Sequence, residues 1–104
     1  MTAAQRGAEF LDKKRPSWYR KVKLTDLRMY NPDMCVLGYT FGNFWDVLRK
    51  FQSDGDISRR TDDTAWAARH GFNVPVGRSG SYERLGLAWA ELIRERRAAK
   101  RKKA

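Results

Sequence analysis

The chain of 104 residues has one cysteine and one histidine, and these scarcities remove several classes of structure at once. A single thiol, Cys35, cannot close an intramolecular disulfide, so the fold does not depend on oxidation and a reducing cytoplasm is the expected compartment. Nor is there a second cysteine to complete a metal-ligand set. Nowhere do eighteen apolar residues occur together, and the opening MTAAQRGAEF lacks the apolar run of a signal peptide. No membrane insertion and no export by that route are therefore expected. No glycine-rich stretch fits a phosphate-binding loop, because Gly77-Arg78-Ser79-Gly80 is short and has no strand before it. No internal repeat is visible.

What the chain does have is aromatic and basic. Thirteen Trp, Tyr and Phe residues in a sequence that is 41% hydrophobic argue against disorder, and the length suits one domain around one core. The formal net charge is +10, from 22 Lys and Arg against 12 Asp and Glu. Its distribution matters more than its size. Residues 94–104, RERRAAKRKKA, carry seven basic side chains against one acid, or +6, and leave +4 for residues 1–93. The chain divides accordingly into a domain, 1–93, and a basic extension of its last helix, 94–104. A second basic cluster, Lys13, Lys14, Arg15, Arg20, Lys21 and Lys23, is interleaved with Trp18 and Tyr19.

Periodicity and end signals predict a mainly α fold: a small single-domain bundle of four to five short helices with a long basic C-terminal helix. The densest apolar stretch, Asn31 to Phe51, is expected to organise the core. Asn31-Pro32-Asp33 reads as a helix start and Gly42 as its end. Phe44, Val47, Leu48 and Phe51 then mark one face of a second helix beginning near Asn43. Upstream, Thr2 with Gln5 has the spacing of a capping box, which predicts a helix from about Ala3 to Lys13. Pro16 stops it and opens a single turn to Lys21, while residues 23–29 are read as irregular, with Leu24, Leu27 and Met29 inward. Gln52 to Asp56 is turn chemistry, followed by a loop through Arg60. Thr61 is expected to cap a helix that ends at His70-Gly71, with Phe72 closing the end. Asn73 to Gly80 reads as a loop. Tyr82, Leu85, Trp89, Leu92 and Ile93 form the stripe of the final helix.

Reaction chemistry is hard to assemble from these residues. Cys35 lies beside Val36 and Leu37 and reads as a small core residue, and His70 reads as a helix C-terminal imidazole at the negative end of the dipole. Asp54, Asp56, Asp62 and Asp63 lack the mid-loop glycine and bidentate Glu of a calcium loop. No catalytic residue, metal or cofactor is predicted. The binding candidates are two. Trp45 and Trp66, each off the main stripe of its helix, are expected as exposed aromatic anchors for a protein. Arg94, Arg96, Arg97, Lys100, Arg101, Lys102 and Lys103 are expected to lie along phosphates or an acidic partner.

Gly7-Ala8-Glu9-Phe10-Leu11, Pro16, Trp18, Leu24, Leu27, Met29, Cys35-Val36-Leu37-Gly38, Phe41-Gly42, His70-Gly71-Phe72 and Trp89 together resemble small accessory proteins encoded by mycobacteriophages and related actinobacteriophages. The resemblance spans most of residues 7–96, with Cys-Val-Leu-Gly its most specific block. It implies a phage origin and action in the host bacterial cytoplasm, and it supplies no activity or functional residues. The expected function is a non-catalytic accessory protein that binds a host macromolecule, a host protein first. The alternative is a DNA- or RNA-binding protein that uses the basic C-terminal helix without sequence preference; an enzyme comes third.

Overall fold

The computed structural model describes residues 1–74 and 81–103. Among them are five α-helices and no strand. They are α1 (Ala3–Lys14), α2 (Val36–Thr40), α3 (Phe44–Ser53), α4 (Asp63–Arg69) and α5 (Ser81–Lys103), with one 3₁₀ turn at Trp18–Arg20. The predicted bundle with its long last helix is therefore present. Part of the loop expected at Asn73 to Gly80, residues 75–80, lies outside the described residues.

The capping box opens α1 as the spacing required: the Gln5 backbone N–H donates to Thr2 Oγ1 at 3.1 Å, and the Thr2 N–H donates to Gln5 Oε1 at 2.8 Å. Ala4, Ala8 and Leu11 are buried on its inner side. Gly7 lets α1 cross close over the end of α4, since a Cβ there would lie 2.0 Å from the His70 carbonyl oxygen. The end of α4 is closed by Gly71 in the left-handed region, φ 71°. The Phe72 N–H reaches the Ala67 carbonyl at 2.8 Å and the Gly71 N–H reaches Ala68 at 3.1 Å, a Schellman closure with Phe72 buried behind it.

Two expected helix starts shift. Asn31-Pro32-Asp33 does not begin a helix: Asn31 Oδ1 accepts the Asp33 N–H at 2.9 Å, an Asx turn that satisfies the backbone locally. The helix starts at Val36, capped by Cys35. The turn stays tied to the head of α3, because the Phe44 N–H donates to the Pro32 carbonyl at 2.9 Å and Asn43 Nδ2 to Asp33 Oδ1 at 2.9 Å. In α4 the cap is Asp62 rather than Thr61; its Oδ1 accepts both the Thr64 N–H and the Thr64 hydroxyl.

The buried residues form one continuous core. Val36, Leu37, Phe44, Val47, Leu48 and Phe51 pack as the apolar density of 31–51 predicts. The two largest fully buried side chains, Trp18 and Trp89, lie elsewhere, edge to face at 5.6 Å where the 3₁₀ turn meets α5. Trp89 Nε1 donates to the buried Gly71 carbonyl at 2.6 Å, so one indole fills space and satisfies the α4 terminus. Ile57, in the segment read from sequence as a plain loop, is also fully buried. No helix among the described residues is long and apolar enough to cross a membrane.

Candidate functional site

The basic residues divide into those the fold consumes and those it leaves to solvent. Lys14 is consumed: its ammonium bridges Asp54 at 2.9 Å and Asp56 across the Gly55 turn. Burial would lower the Lys14 pKa, but the two carboxylates outweigh it and raise it. That pairing also accounts for half of the acidic quartet, and no group of three or more His, Cys, Asp or Glu among the described residues is placed to hold a metal. Arg15 donates to the Thr40 carbonyl at the end of α2 at 2.9 Å and stacks on Phe41 at 4.5 Å.

Arg96 and Arg97, expected at a phosphate surface, are consumed as well. Arg96 makes a two-pronged bond to Asp12, Nε to Oδ1 at 3.0 Å and Nη2 to Oδ2 at 2.8 Å, and Trp18 Nε1 donates to the same Oδ1 at 2.9 Å. Burial alone would push the Asp12 carboxyl up; the Arg96 and Trp18 hydrogen bonds overcome it and hold it below the ordinary range. Arg97 Nη2 donates to the carbonyls of Tyr19 at 2.9 Å and Val22 at 2.6 Å. These two arginines are fasteners, so the packed part of α5 runs past residue 93 and through Arg97.

Their effect is to lay the C-terminal part of α5 beside residues 19–22. The two basic clusters, far apart in sequence, therefore meet. Arg20, Lys21 and Lys23 on one side, and Arg94 and Lys100 on the other, are exposed. Among the described residues none of the five makes a salt bridge. Glu95 is the one acid between Arg94 and Lys103, and α5 carries Glu83 and Glu91 before it. The side chains of Arg101, Lys102 and Lys103 lie outside the described set, while the helix itself continues through Lys103.

Alongside this run is a groove of about 670 Å³ between segment 24–30 and α5. Leu27 and Met29 are buried in its lining, and Tyr30 and Leu87 stand out at its edges, 64% and 69% exposed. Arg94 belongs both to the groove and to the basic run. Sequence reading missed this feature. Its only trace there is Leu87, an apolar residue off the Trp89 and Ile93 stripe.

The aromatic candidates separate. Trp45 is exposed, at 47%. Trp66 is a core residue, 8% exposed, stacked on His70 at 4.1 Å and against Phe72 at 5.9 Å, with the Phe10 edge at 5.1 Å. Its place off the stripe of α4 suggested exposure, but that helix has only seven residues and is covered on more than one side, by α1 and by the 70–72 turn. Cys35 is buried and its Sγ accepts the Gly38 N–H at 3.3 Å, as a helix cap. Burial pushes this thiol up despite the backbone donors around it. His70 Nδ1 donates to the Trp66 carbonyl at 2.9 Å, which places the imidazole at the helix end.

No known protein family, curated protein or solved structure matches the chain.

Proposed function

We propose that this chain is a non-catalytic accessory protein of phage type that acts in the host bacterial cytoplasm by binding nucleic acid through its phosphates, without reading base sequence. The observation that carries this reading is the junction made by Arg97 on the Tyr19 and Val22 carbonyls, which sets Arg20, Lys21 and Lys23 beside the basic end of α5. A run of exposed cations that make no salt bridge among the described residues binds a polyanion mainly by releasing its counterions. Burial of Trp66 takes away one of two anchors for the host-protein reading and moves nucleic acid ahead of it.

The test is a truncation chosen from the packing. Removing residues 94–104 would also remove Arg96 and Arg97 and loosen the fold, so the chain is instead ended at Ala99, which deletes Lys100, Arg101, Lys102 and Lys103. On duplex DNA the slope of log affinity against log salt is expected to fall by up to about 0.9 for each phosphate that is no longer neutralised, equally on two unrelated sequences. No binding by the full chain at low salt overturns the proposal.

A second reading, a host protein held at Trp45, is favoured by the exposure of that indole alone. It predicts a complex with a host protein that survives nuclease and is lost on Trp45→Ala without change in fold.

A further inference from the structure

We infer that the groove between segment 24–30 and α5 is a stacking site for an unpaired nucleobase, so that the protein takes single-stranded polynucleotide in preference to duplex. The inference rests on the reading that the chain binds nucleic acid, and it names the form of that ligand. Tyr30 presents a largely exposed ring, held edge to face by Tyr82 at 6.4 Å. Tyr82 is itself fixed, its hydroxyl donating to Asn73 Oδ1 at 2.8 Å. An aromatic face that is both accessible and braced is what a base stacks on, and such stacking tolerates any sequence because every base has a π-face. Beneath it, Leu27 and Met29 supply an apolar floor, and Gly86 contributes no side chain to fill the space. At about 670 Å³ the groove is in the range of sites that enclose a small molecule.

Charge draws the strand to the groove. Arg94 stands at one end of the groove and Glu83 toward the other, eleven residues apart on α5 (94 − 83), or roughly 16 Å at the helical rise. Phosphates are drawn to Arg94, which continues into the basic run with Lys21 and Lys23, and to Arg28, an exposed cation that also lines the groove. A strand lying along the basic run turns a base into the groove against Tyr30, where the Glu83 carboxylate in the lining can accept from an exocyclic amine. A base within a duplex is paired and stacked already, and must be extruded to enter.

The experiment titrates full-length protein, at one low salt concentration, against a labelled 15-nucleotide single-stranded DNA, the RNA of the same sequence, and the corresponding duplex DNA. At least one single strand is expected to bind about tenfold tighter than the duplex. Tyr30→Ala is expected to lose about tenfold on that strand, the size of one base–aromatic stack, with little change on the duplex, and Tyr30→Phe to retain wild-type affinity. The exposure of Tyr30 keeps the fold out of the comparison, and a thermal melt of each variant checks this. A duplex bound as tightly as both single strands, or unchanged single-strand affinity in Tyr30→Ala, overturns the stacking site and leaves the phosphate-binding reading standing. Absence of binding to all three ligands removes both.

Discussion

Arg96 clasps the carboxylate of Asp12 with two nitrogens across 84 residues of sequence, and the Trp18 indole N–H shares the same oxygen. An exposed ion pair contributes about 0–1 kcal/mol, whereas a hydrogen bond to a charged group contributes about 1.5–3. The pair is partly covered, with side chains 24% and 41% exposed, so Asp12→Ala or Arg96→Ala is expected to cost about 1–2 kcal/mol. Chemical denaturation of each single variant and of the double variant measures it. Additive losses would mean the two side chains do not interact.

The same ion pair sets part of the acid sensitivity. Asp12, Asp54 and Asp62 all have pKa values below the ordinary carboxylate value of 3.8. For Asp12 burial opposes the shift and the Arg96 and Trp18 bonds overcome it; for Asp54 the leading cause is the Lys14 hydrogen bond, and for Asp62 the Thr64 hydroxyl. A folded pKa below the unfolded one means that the unfolded chain binds more protons, so stability rises with pH through this window. The contribution is complete above the ordinary value and is lost as pH falls through the depressed ones. Melting temperatures from about pH 5 down to about pH 2 should drop more steeply for wild type than for Asp12→Asn.

The two tryptophans expected as anchors should part company on truncation. Trp66→Ala opens a cavity among Phe10, His70 and Phe72 and is expected to cost about 3–5 kcal/mol. Trp45→Ala, at an exposed position, should stay within about 0.5 kcal/mol of wild type. Equal melting temperatures for the two variants would contradict the burial described for Trp66.

Two helical glycines give opposite expectations for the same substitution. At Gly7 a Cβ would meet the His70 carbonyl oxygen at 2.0 Å and the Trp89 ring at 2.9 Å, so Gly7→Ala must push α1 off the α4 end and α5, with a clear loss of stability. At Gly86 the nearest described atom is Met29 Cγ at 3.9 Å, an ordinary van der Waals separation. There the better helix propensity of alanine should prevail and raise stability by about 0.5–1 kcal/mol. Urea titrations of both variants decide the sign.

Cys35 should be inert in the folded chain. Its thiol is buried and its pKa is raised, which removes the thiolate that alkylating reagents attack. Iodoacetamide at about pH 7.5 is expected to modify it only in denaturant, as read by intact mass; rapid modification under native conditions would show an accessible thiolate.

Local signals were enough for what local chemistry decides. The Thr2 and Gln5 box, Asn43 at the head of α3, Gly71 with Phe72 at the end of α4, and the stripe of α5 each arise within a single helix or its cap, and each is found where its spacing puts it. The shifts at Asn31 and Thr61 are of the same local kind: an Asx turn and an aspartate cap compete for the same backbone groups, and composition does not rank them. Only the tertiary structure decided which charges and aromatics remain available for binding. Position off the helix stripe suggested an exposed Trp66, and the charge of the tail suggested an available Arg97, yet each is covered by an element distant in sequence, Trp66 by Phe10 of α1 and Arg97 by the carbonyls of Tyr19 and Val22. The groove beside Tyr30 and Leu87 arises in the same way, from an irregular segment brought against a helix more than fifty residues later (87 − 30). Such pairings are specified by the packing of the whole core, in which every buried side chain constrains the next, and no window of a few residues contains that information.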